Sequence, residues 1–174
     1  MRCMTTSELF LADFETETLN TRKILVLVPD VKSEWKPHEK SMKFGYLAWH
    51  TAELASWALE AARSEGHDIP AGFKPEIPDT MAEVLVRFDT NVAAAKEATA
   101  RVSDKAWSAP WTLSLAGKPI FTQPRHTVWR GMCLNHMIHH RAQLGAYLRL
   151  NGIAIPGMYG PSADEQIATA QGQS

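Results

Sequence analysis

The feature that most constrains this chain is a helical period of apolar residues that recurs in four long segments, separated by stretches rich in proline, glycine and polar residues. The first starts at Thr5 or Thr6, where Thr5 and Glu8 have capping-box spacing, carries Phe10, Leu11, Phe14, Leu19 and Ile24, and ends before Pro29-Asp30. A second runs from Phe44 to Ser64 with Leu47, His50, Leu54, Trp57, Ala58 and Ala61 on one stripe, and Gly66 supplies the stop. Thr80 and Glu83 repeat the capping-box spacing at the head of a third, which continues to Val102. The fourth begins near Pro124, a residue tolerated in a first turn because its missing N–H has no partner there, and ends at Asn151-Gly152. Amphipathic segments of this kind hide their stripes against one another, so the expected fold is all-α, a four-helix bundle.

The connections carry less signal. Residues 31–43, VKSEWKPHEKSMK, read as a polar surface connection, and GHDIPAGFKPEIPD after the second helix as a Pro-rich loop. Between Trp107 and Phe121 the sequence alternates around an AGKP turn, which predicts a short hairpin or extended crossover before the last helix. A length of 174 residues with 45% hydrophobic and 21% charged suits one domain spanning residues 1–174. The net charge of -1 offers no electrostatic footprint for nucleic acid or an anionic membrane. No apolar run approaches the roughly 20 residues of a membrane span. Cys3 and Cys133 make no disulfide framework, and MRCMTTSELF lacks the apolar stretch of a signal peptide, so a cytoplasmic location is expected.

Three of the seven histidines, His136, His139 and His140, fall within five residues of the last helix. At about 100° per residue, His136 and His140 lie roughly 40° apart and can converge on one ion, whereas His139 points about 80° away from their midpoint. Coincidence, or core histidines bonded to other side chains, would explain the pair equally well on spacing alone. His50 adds weight, because it stands on the apolar stripe of the second helix. Three inward imidazoles need partners for their nitrogens, and one metal ion satisfies them together. His50, His136 and His140 are therefore the candidate ligands. Three neutral imidazoles suit a divalent transition metal, with Zn or Ni foremost and Fe, Mn or Cu as alternatives, and leave coordination positions open.

Residues near the ligands have two readings each. Glu53, one turn after His50, is a candidate general base or a solvated surface carboxylate. Gln143 is placed to support a ligand through its amide, and Tyr147 to pack in the core. Trp129, Gln143 and Tyr147 all fall within about 40° of the ligand direction. Cys133 reads better as a buried structural cysteine than as a thiolate ligand, and Trp49, Trp57 and Trp129 as core residues before pocket walls.

The segments LAWHTAEL around His50, NHMIHHRAQLGAYLRLNG and PGMYGPSADE resemble the DinB/YfiT-like family of bacterial helical proteins, most specifically in the string H-x-x-x-H-R-x-Q from His136 to Gln143. The resemblance spans nearly the whole chain. It implies an up-down-down-up four-helix bundle, frequent homodimers, and a metal held by one histidine of the second helix and two of the last, positions matched by His50, His136 and His140. Relatives that resemble mycothiol-dependent maleylpyruvate isomerase and bacillithiol S-transferases use a metal to activate a low-molecular-weight thiol. By analogy, a metal-dependent thiol transferase or isomerase is the leading expectation. A non-catalytic metal-binding, stress-associated protein is the alternative. The sequence departs from the commonest motif at Ala142, where glycine is usual, and at His139, where an acidic residue is common.

Overall fold

The computed structural model describes residues 3–166. The expected single domain also takes in residues 1–2 and 167–174, which lie outside the described residues. The chain is mostly helical: α1 (Thr6–Leu25), α2 (Phe44–Arg63), α3 (Met81–Ala100), a short α4 (Asp104–Trp107), α5 (Arg125–Val128) and α6 (His136–Leu150). A π-helical stretch, Trp129–Asn135, joins α5 to α6, so residues 125–150 form one long last helix. Among the described residues, no helix is long and apolar enough to cross a membrane.

Local chemistry fixes the helix starts. Thr5 accepts from the Glu8 amide at 3.2 Å while the Glu8 carboxylate takes the Thr5 amide at 2.8 Å, and Thr80 and Glu83 close the same reciprocal pair. Gly45 is required at the start of α2 by close approach: a Cβ there would lie 1.9 Å from the Val31 carbonyl oxygen. The connection before α2 is less superficial than its polarity suggests, since Trp35 packs edge-on against Phe44 and Tyr147.

Cross-element bonds give the helix directions. Glu15 pairs with Lys96 and Arg22 with Asp89, so α1 runs against α3. Glu53 of α2 pairs with Arg87 of α3, and the C-terminal ends of both helices line one cavity, so these two run together. Arg125 donates to the Ala62 carbonyl at 3.1 Å and Tyr147 to the Met42 carbonyl at 3.2 Å, which sets the last helix antiparallel to α2. Their shared core holds Phe14, Phe44, Leu47, Leu54, Phe88, Trp129, Met137, Leu144 and Leu148, all at 1% exposure or less.

The all-α expectation is corrected by a three-stranded sheet, β1 (Gly66–Ile69), β2 (Pro110–Leu115) and β3 (Lys118–Pro124), in the order β1-β2-β3. The hairpin of β2 and β3 answers to the alternation around AGKP, with Ala116 and Gly117 both at positive φ as a tight hairpin turn needs. β1 falls in what reads as a Pro-rich loop. It pairs parallel to β2 and covers an edge that the hairpin would otherwise leave open.

Candidate metal centre

Helices α2 and α6 face each other with His50 on one and His136 and His140 on the other. One nitrogen from each ring can be chosen so that all three lie within 4.8 Å of one another, the spacing of a group that could hold a metal ion. The ring centroids are 5.3 Å apart for His50 and His136, 4.8 Å for His50 and His140, and 4.6 Å for the helical pair. His140 is buried and the other two are half-buried.

Hydrogen bonds orient the pair. His140 Nδ1 lies 2.7 Å from Gln143 Oε1, so it carries the proton and Nε2 is left with its lone pair. At His136 the neighbouring Met132 backbone favours the protonated ring and partly opposes the lowering of the pKa by burial. The Nε2 atoms of His136 and His140 face each other at 2.9 Å. The His140 Nε2 lone pair is directed there either to a proton on His136 Nε2 or to a cation that both rings share. A metal ion fits this donor set, and the Gln143 bond fixes at His140 the tautomer that a second partner of a metal-bound histidine imposes.

Electrostatics keeps the ligands neutral. Burial, followed by the proximity of His140 and His136, lowers the His50 pKa from 6.5 to about 4. Burial is also the first cause of the lowered values at His136 and His140, with His139 contributing to both. A neutral imidazole is the form that binds metal.

The other candidates sort by contact. Gln143 accepts from His140 Nδ1 through its amide oxygen. Glu53 is held by Arg87 of α3 through an ion pair and a second bond at 3.1 Å. His139 is exposed and outside the ligand group, with its ring 4.9 Å from that of His140. Cys133 is fully buried, and burial pushes its thiol up to about 12, so it stays protonated and apart from the cluster. Tyr147 packs on Phe44 and Trp35. Trp129 belongs to another cluster, stacked on Phe10 at 4.4 Å, and Trp57 meets Trp111 and His67 edge-on.

Two neighbours escape a reading of the sequence. Tyr46, one turn before His50, stacks on its ring with centroids 6.2 Å apart and planes within 5°. Arg141 follows His140 directly and is 3% exposed; it pairs with Glu17 at 2.6 Å and donates to the Glu17 carbonyl at 3.0 Å. The i, i+4 spacing places Tyr46 beside His50, but nothing local signals that Arg141 finds its carboxylate on α1.

Residues 13–144 match the family model of the DinB superfamily. A DinB-like protein from Bacillus cereus shares the fold with a TM-score of 0.64 at 22% identity, over 86% of this chain and 95% of that one. The DinB-like protein YjoA from Bacillus subtilis aligns with a TM-score of 0.65 at 15% identity, over 86% of this chain and 96% of its own. No curated protein matches the sequence. The matched region contains His50, His136 and His140, and the chain belongs to the DinB superfamily.

Proposed function

We propose that this protein binds one divalent transition ion through His50, His136 and His140 and acts as a metal-dependent enzyme on a low-molecular-weight thiol, by S-transfer or isomerisation. The observation that carries the metal reading is the convergence of three neutral imidazoles, with the Nε2 atoms of His136 and His140 facing each other at 2.9 Å. Zn and Ni suit the all-nitrogen set best, and Fe, Mn or Cu are compatible with it. The ion, when bound, supplies Lewis acidity and lowers the pKa of a water or thiol. Gln143 holds the orientation of the His140 ring, and Tyr46 shields one face of His50. Family membership supports the thiol chemistry only by analogy. The scaffold is read as one domain, an up-down-down-up four-helix bundle with a small sheet, which the helix directions support.

One observation favours a non-catalytic reading, in which the ion chiefly ties α2 to α6. Glu53, the candidate general base, has its carboxylate occupied by Arg87. Elemental analysis of protein purified without a metal-affinity tag, followed by S-transfer assays with glutathione, bacillithiol and mycothiol, separates the two. The enzyme reading expects about one ion per chain and turnover with at least one thiol; metal without turnover leaves the structural role, and no metal removes both.

A further inference from the structure

The last helix has to serve two different faces. Upstream, Trp129 is fully buried toward α1 and α3: it stacks on Phe10, meets Phe14 edge-on, and donates its indole N–H to Thr99 Oγ1 at 3.1 Å. Downstream, His136 and His140 face His50 on α2. In a regular α-helix, residues seven apart lie only about 20° apart, so Trp129 and His136 would share one face. The segment between them is not regular. Trp129–Asn135 is π-helical, and five-residue hydrogen bonding advances each residue by roughly 80° in place of about 100°. Over the stretch the lag is on the order of 100°, enough to move the histidines from the face of Trp129 to the face of α2.

We propose that this π turn is the register device of the metal centre. It absorbs the mismatch between a tryptophan anchored on α1 and α3 and a histidine pair aimed at α2. One further observation agrees. Gly131 is exposed, and a Cβ there would meet nothing within 4 Å, so no packing at that position forces the wide geometry. The extra rotation depends on the number of residues in the turn, not on which residue stands at 131.

This inference rests on the metal reading, and the test separates the two. Metal affinity is measured by titration with Zn and Ni for the wild type, for Gly131→Ala, and for a chain from which Gly131 is deleted, with circular dichroism as the check on folding. The substitution should bind within about twofold of wild type, and the folded deletion at least 100-fold more weakly. A wild type that binds neither ion overturns the metal reading itself. A wild type that binds, beside a folded deletion that binds equally well, overturns the register role alone. Should the deletion fail to fold, couplings across hydrogen bonds in the nuclear magnetic resonance spectrum of the wild type decide. Amides in the turn bonded to carbonyls five residues back uphold the proposal, and a continuous four-residue ladder contradicts it.

Discussion

At the scale of single residues, the candidate ligands could be read from spacing because a helix fixes angles: residues four apart share a face whatever the rest of the chain does. Replacing His50, His136 or His140 with alanine should each cut metal affinity at least 100-fold, while His139→Ala stays close to wild type. Isothermal titration checks this, and an equal loss at His139 would contradict the ligand assignment. Gln143→Leu, which removes the acceptor for His140 Nδ1, should cost about 10- to 100-fold in affinity with the ligands intact. The engagement of Glu53 was not legible, because its partner Arg87 lies 34 residues away on another helix. The same holds for Arg141 and Glu17, 124 residues apart. Their pairing is buried, so Glu17→Ala leaves a guanidinium uncompensated and should destabilise the fold by about 3–5 kcal/mol in urea unfolding.

At the scale of elements, helix starts were legible where the chemistry is local. Thr5 and Thr80 both cap as their spacing to Glu8 and Glu83 foretells, and Thr80→Ala should cost about 1 kcal/mol, read as a lowered Tm. Two elements were not legible. β1 is four residues long, includes His67 and Asp68, and is stabilised by a strand more than 40 positions later, so no period betrays it. The π turn has a composition that suits an α-helix equally well, and the assumption of one regular helix is what placed Trp129 on the ligand face. The segment after α6 is held by an ion pair: Arg149 and the Ile155 amide grip Asp164 and bring its carboxyl down to about 2. A depressed carboxyl contributes above its ordinary value of 3.8 and loses that contribution as pH falls through about 2. Hydrogen exchange at the Ile155 amide should therefore show the segment loosening between about pH 4 and pH 2, and Asp164→Asn should show the looser state already at neutral pH.

At the scale of the whole molecule, the family resemblance implies a homodimer; of the apolar residues spread over more than one face of the first two helices, Phe10, Phe14, Leu25 and Trp49 are buried within the chain, while Leu11, Leu27 and Trp57 are half-buried. The dimer proposal now rests on Leu9, Leu19 and Val26, which are 51%, 56% and 48% exposed along α1 and its C-terminal end. Light scattering at micromolar concentration should give twice the 19.4 kDa chain mass, and a monomer there would end that proposal. The central claim is narrower and concerns three imidazoles that come from two helices and meet at one point. X-ray absorption at the metal edge of protein loaded with one equivalent of Zn or Ni tests it most directly. The account predicts three imidazole nitrogens at about 2.0–2.1 Å, with the characteristic outer-shell scattering of the rings; a spectrum with oxygen ligands and fewer than three imidazoles would contradict it.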